Sequence, residues 1–223
     1  WSLDLEKGGV ARLTSGGVHT VARPRPESGY VVYTRDVSGG RELQRVYAVS
    51  ASGGEHIELG PPEPRRVLGL AFDGERVALA AAGEGVELWL LDLGGGAERL
   101  HSVRGMAWVT DFRDGLVVGQ GVLRGDPRAY ELFIYDLAEG KLEVYTPREG
   151  SVNKRPVTRA GRVLFATNAF GGERLAVYDP AARGLELVAF SGGDLERYGP
   201  VEYLDFGWDG GGRVWAVGKR EGR

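Results

Sequence analysis

The chain has 223 residues, a net charge of −3 from 28 basic and 31 acidic side chains dispersed along it, and no cysteine. That balance leaves no polybasic stripe for a phosphate backbone, and the missing thiols exclude both a disulfide framework and a thiolate metal site, so nucleic acid is not an expected partner. No apolar run approaches the ~20 residues of a membrane span and no charged-then-apolar leader opens the sequence, so no membrane association is expected and the cytosol is the expected compartment.

Only four of the 28 basic residues are lysine, a bias that fits a heat-adapted or GC-rich source. The chain opens on Trp1 rather than methionine, as a fragment of a longer protein would.

Trp1–Thr14 (WSLDLEKGGVARLT) matches Trp89–His101 (WLLDLGGGAERLH), so the chain is expected to begin inside a repeat, with the outer two strands of one unit. Val18–Val21 reads as the next inner strand, and Pro24–Gly29 as a loop, because proline removes ladder donors and Ser28-Gly29 turns the chain. Tyr30–Arg35, Leu43–Val49 and Glu55–Leu59 follow as strands. Gly60–Pro64, stiffened by three prolines, connects to the next unit.

That unit has an inner strand at Val67–Phe72, an Asp73-Gly74 turn, and strands at Arg76–Ala82, Glu87–Leu91 and Ala97–Leu100. Met106–Phe112, Leu116–Val122, Glu131–Tyr135 and Leu142–Tyr145 repeat the grammar. So do Pro156–Thr158, Arg162–Asn168, Arg174–Tyr178 and Leu185–Ala189. Val201–Phe206, the Asp209–Gly212 turn and Arg213–Lys219 are the first half of another unit.

One device marks the repeat. Asp4, Ser50, Asp92, Asp136 and Asp179 each stand at the end of an apolar run and before a glycine, spaced by 46, 42, 44 and 43 residues. A short polar side chain there accepts hydrogen bonds from turn amides while glycine supplies the positive φ of a tight reversal. A period near this length with about four strands per unit predicts an all-β fold, a β-propeller of four-stranded antiparallel blades with about five blade equivalents.

Few residues suggest chemistry. Asp4, Asp92, Asp136 and Asp179 recur once per unit and read as structural turn residues rather than metal ligands. His19, His56 and His101 fall in different units without a metal-ligand spacing, so packing and surface roles are expected and no metal or other cofactor is implied. Gly119-Gln120-Gly121 lies inside a strand pattern and reads as a bulge or a close backbone approach. The glycine runs Gly94–Gly96 and Gly210–Gly212 precede no helix, which leaves them without the dipole that binds phosphate. There is no G-x-S-x-G elbow, so no catalytic residue is assigned.

The segments RVYAVSASGGEHIEL, VELWLLDLGGGAERL, LFIYDLAEGKLEVY and LAVYDPAARGLELV resemble the propeller repeats of the prolyl oligopeptidase family and its TolB-like relatives. With GYVVYTRDVSGGRE, GMAWVTDFRDGLVVGQGV and GRVWAVGKREGR they are similar, over essentially the whole chain, to the N-terminal propeller of archaeal acylaminoacyl peptidases. The resemblance implies a seven-bladed propeller that caps an α/β-hydrolase domain and filters short or N-acylated peptides by size. Residues 1–223 would then form a single non-catalytic propeller domain, or a fragment of one, whose partners are a hydrolase domain of the same parent protein and a peptide substrate.

In GMAWVTDF, Met106 and Trp108 match a stretch that faces the hydrolase site in the family, which implies substrate-facing roles; the alternative for Trp108 is packing between blades. Two arrangements stay open for the end units. They either join as one composite blade of a five-bladed ring, or lie apart in an arc of a seven-bladed one, the arrangement that the resemblance favours and that invites homo-oligomerisation. Two other functions also stay open, a free-standing TolB-like interaction propeller and a propeller enzyme with an axial metal.

Overall fold

The computed structural model describes residues 1–23, 25–190 and 201–220; Pro24 of the expected loop and the final Glu221–Arg223 lie outside the described residues. The chain divides into two compact units, Trp1–Phe112 and Arg113–Arg223. Among the described residues no helix is long and apolar enough to cross a membrane.

In the first unit, β1 (Ser2–Leu3) and β2 (Val10–Ala11) form a two-stranded sheet. The strands β3 (Val18–Val21), β4 (Tyr30–Asp36), β5 (Gln44–Ser50) and β6 (His56–Leu59) form a four-stranded one, with a turn of 3₁₀ helix at Pro26–Ser28 between β3 and β4. A second four-stranded sheet holds β7 (Val67–Phe72), β8 (Arg76–Ala82), β9 (Val86–Asp92) and β10 (Ala97–Val103). The strand β11 (Met106–Arg113) follows and is the first of a sheet ordered β11-β12-β13-β14, with β12 at Leu116–Val122, β13 at Glu131–Asp136 and β14 at Lys141–Tyr145. The last full sheet holds β15 (Asn153–Arg159), β16 (Arg162–Thr167), β17 (Arg174–Asp179) and β18 (Gly184–Leu187), and β19 (Val201–Trp208) pairs with β20 (Val214–Arg220) in a two-stranded sheet.

The fold is therefore the expected one, four-stranded antiparallel blades in chain order. Among the described residues, four sheets are complete and the first and last have two strands each, in separate sheets.

Burial explains why the middle strands of each blade read as continuous apolar runs and the outer ones do not. A strand sandwiched between two sheets buries both faces, so its side chains need not alternate with polar ones. In the first unit, Val77, Leu79 and Ala81 of β8 pack with Val32, Val46 and Ala48 of the preceding blade. In the second unit, Val163 and Phe165 of β16 pack with Val118 and Ile134 on one side, while Leu164 and Ala166 pack with Phe206 on the other.

Two departures from expectation have local causes. The strand expected at Pro156–Thr158 runs from Asn153 to Arg159, because its register shifts between Lys154 and Val157 and so accommodates Pro156, which has no N–H to give the ladder. Toward β13 the Gly119–Gly121 stretch carries no bulge, since β12 pairs with β13 in unbroken register from Leu116 to Gly121. Register shifts are found in the first strands of other sheets, at Val18/Thr20, Val67/Gly69 and Tyr203/Asp205, and in the last strand β10 at Arg99/His101.

Phe165 is fully buried within the stack, so Phe165→Ala is expected to lower unfolding free energy by about 3–5 kcal/mol in urea titration. A loss below about 1 kcal/mol would contradict this packing.

Candidate functional site

The Met106–Arg113 strand is the best-anchored element around the residues expected to face substrate. Arg25, in the segment between β3 and β4, donates from Nε to the Phe72 carbonyl at 2.9 Å and from Nη2 to Asp111 Oδ1 at 2.7 Å. The same Nη2 also reaches the Phe112 carbonyl at 3.3 Å. Both side chains are nearly buried, with 10% of the Arg25 and 6% of the Asp111 side chain exposed. The planar fork of arginine suits this work, since one rigid group can serve several acceptors at once. It ties the end of β7 to the end of β11.

The strands also touch directly. A Cβ on Gly69 would lie 2.3 Å from the Val109 carbonyl oxygen and 2.4 Å from its nitrogen, so only glycine lets the β7 and β11 backbones approach this closely. At the other end of β11, Met106 is 47% exposed, and Trp108, two residues on, is half-buried. Spacing of two puts both side chains on one face of the strand. The arrangement is a surface methionine beside a partly packed indole on a strand held at its far end by a buried ion pair.

The turn residues stand in separate places, each bonded to its own hairpin. Asp4 Oδ1 accepts from the amides of Glu6 and Lys7, both at 3.0 Å. Asp92 Oδ1 accepts from Gly96 at 3.0 Å, Asp136 Oδ1 from Ala138 at 2.8 Å and Glu139 at 3.2 Å, and Asp179 Oδ1 from Ala182 at 2.9 Å. Ser50 Oγ accepts from Ser52 at 3.2 Å. A second series serves the turn between the first and second strands of a blade: Asp73 Oδ1 accepts from Glu75 and Arg76, and Asp209 Oδ1 from Gly211 and Arg213. Hydrogen bonds from Arg213 hold the Asp209 carboxyl below its ordinary pKa.

Two aromatic clusters were not legible as sites. In the first unit, Tyr33 stacks on Tyr47 at 5.7 Å between ring centroids, and its hydroxyl meets His56 Nδ1 at 2.6 Å beside a small cavity of 170 Å³. Burial pushes the pKa of both phenols up, and for Tyr47 the hydrogen bond to Glu58 adds to it. In the second unit, Tyr145 and Tyr178 stack at 3.6 Å, and the Tyr178 hydroxyl donates to Glu143 Oε1 at 2.6 Å.

Comparison with known proteins places this architecture. The family model described as "Acylamino-acid-releasing enzyme-like, N-terminal domain" matches residues 3–223. The chain belongs to this family. Among solved structures, the uncomplexed acylaminoacyl peptidase of Pyrococcus horikoshii is similar with a TM-score of 0.68 and 13% identity, over 97% of this chain and 38% of that one. TolB from Acinetobacter baumannii is similar with a TM-score of 0.55 and 15% identity, over 77% of this chain and 43% of that one. The β-propeller domain of the Trilobed protease from Pyrococcus furiosus, described as having an open velcro topology, is similar with a TM-score of 0.50 and 11% identity, over 93% of this chain and 79% of that one. At these identities the likeness shows a shared propeller fold. The chain spans less than half the length of the peptidase and TolB chains that it matches.

Removing one partner of the nearly buried ion pair leaves the other charge uncompensated. Asp111→Ala is therefore expected to cost about 3–5 kcal/mol of stability, and Arg25→Met with Asp111→Leu much less than either single change. A double-mutant cycle in urea checks this, and additive losses would contradict coupling between the two.

Proposed function

We propose that this chain is the non-catalytic propeller of an acylaminoacyl-peptidase-like serine peptidase, which restricts the access of short or N-acylated peptides to a hydrolase domain of the same polypeptide. The observation that carries the reading is the match of the N-terminal-domain family over residues 3–223. The structural likeness supports it, since nearly all of this chain corresponds to little over a third of an acylaminoacyl peptidase. One such peptidase structure is a complex with Z-Gly-Gly-Phe-chloromethyl ketone.

The physical role is steric. Blades that bury both faces of their middle strands make a stiff wall, and a stiff wall admits a flexible short peptide while it excludes a folded protein. By shutting out bulk water it also strengthens the electrostatics of the site it covers. In this reading Met106 and Trp108 are apolar contacts for the peptide, methionine adapting to different side chains and the indole offering a flat face.

The purified chain is expected to leave an acyl-amino-acid anilide intact, whereas the full polypeptide hydrolyses it. Turnover by the chain alone, surviving purification to homogeneity, would overturn the reading. Within the full polypeptide, Trp108→Ala is expected to change the ratio of kcat/KM values between peptides with small and large apolar side chains, with a Tm close to that of the parent. An unchanged ratio with a large drop in Tm would assign Trp108 to packing between blades instead.

A further inference from the structure

In the second unit, a cleft of about 780 Å³ opens between the sheet of β12–β14 and that of β15–β18. Its volume lies in the range of small-molecule and peptide-side-chain sites, ~300–1,000 Å³. Buried Leu116, Ile134 and Tyr178 line its floor, and Tyr145 stands against Tyr178 with the ring planes 12° apart. Tyr145 is in turn held edge-on by Phe165 at 6.3 Å. The aromatic wall is thus fixed before any ligand arrives.

The ionisable lining is unbalanced, with Asp114, Asp136, Glu139 and Glu143 against Lys141 and Arg183. Two of these carboxylates are occupied by the fold: Asp114 accepts from the Ala160 amide and Asp136 from the amides of its turn. Glu143 differs. It is half-buried, forms no ion pair among the described residues, and is oriented by the Tyr178 hydroxyl, which donates to only one of its two oxygens. Burial first, and then Glu143, push the Tyr178 pKa up, so the phenol remains a neutral donor to the carboxylate. Among the described residues no three His, Asp or Glu side chains converge as a metal-binding set. The charge therefore suits an organic cation.

The geometry points to a docking site for a peptide segment that carries an arginine or lysine side chain, with its aliphatic stem on Leu116 and Ile134 and its charged head on Glu143, three residues that share one face of the sheet. A long cationic side chain has this division, an apolar stem and a charged tip. The edge of the site adds a second mode of contact: β14 is the last strand of its sheet, so one side of Lys141–Tyr145 has no neighbouring strand in the sheet and can pair with an extended peptide backbone.

Titration calorimetry of the whole chain tests the site, with acetyl-Gly-Arg-Gly-amide, its norleucine analogue and its glutamate analogue as probes. The arginine peptide is expected to bind at least about tenfold more tightly than the norleucine one, a difference of about 1.4 kcal/mol, and the glutamate peptide more weakly still. Glu143→Gln is expected to erase the preference for arginine. Should that variant fail to fold, Glu139→Lys, a change at an exposed rim position, is expected to weaken the arginine peptide several-fold and leave the norleucine peptide unchanged. Equal affinities for the three peptides, no binding of the arginine peptide, or a preference retained in a folded Glu143→Gln variant would each overturn the proposal. Tight binding of free arginine amide but not of the peptide would assign the cleft to a small amine and overturn the peptide docking site.

Discussion

Every complete blade depends on the burial of both faces of its middle strands. In β16, Phe165 faces one neighbouring sheet while the adjacent Leu164 and Ala166 face the other, and all three are buried. Removing a sheet from either side would return one set to water, at roughly 1.5–3 kcal/mol for each large side chain. A blade of this kind is therefore not stable alone, and its neighbours act as its solvent. The same logic makes the stack stiff, because an interior packed on two sides has no free face along which to slide.

Arginine secures the ends of these stacks in both units. In the first, Arg76, the first residue of β8, lies over the Phe112 ring at 5.5 Å. In the second, Arg162, the first residue of β16, lies over Trp208 at 5.5 Å, and Arg155 lies over Phe206 at 5.5 Å with Nη2 on Asp205 at 2.6 Å. Each contact reaches from one blade to the end of the next blade's first strand, and cation–π contacts of this kind contribute about 0.5–1 kcal/mol where exposed. Arg25 does similar work with its N–H groups rather than its face, on Phe72, Asp111 and Phe112. The predominance of arginine over lysine in the composition thus has a structural use in addition to any bias of the source.

The blade pattern was legible because its signals are local. Apolar runs, Asp-Gly turns, turn aspartates followed within five positions by a glycine, and a steady period require only neighbours in the chain, and they place most strands to within a residue or two. The expected strand starts at Pro156 rather than Asn153 for an equally local reason, since proline suits the first residue of a strand and the register shift that admits it further in leaves no mark in the sequence. Contacts across blades left no such trace. Arg25 and Asp111 are 86 residues apart, and Glu143 and Tyr178 are 35 apart; neither pair belongs to a motif. Gly69 sits inside the expected Val67–Phe72 strand, and its role depends on the Val109 backbone, which only the fold brings near.

In the proposed role a stiff stack of sheets is the filter, and the blades, not the chemistry of the covered site, would decide how large a substrate is cut. The most direct measurement is kcat/KM for a series of N-acetylated peptides of increasing length but identical sequence around the scissile bond, made on the full polypeptide and on its hydrolase portion released from the propeller by proteolysis. The account predicts a steep fall with length for the full polypeptide and a flat profile for the released portion, provided that both cleave the shortest peptide. The same fall in both, or no fall in either, would contradict it.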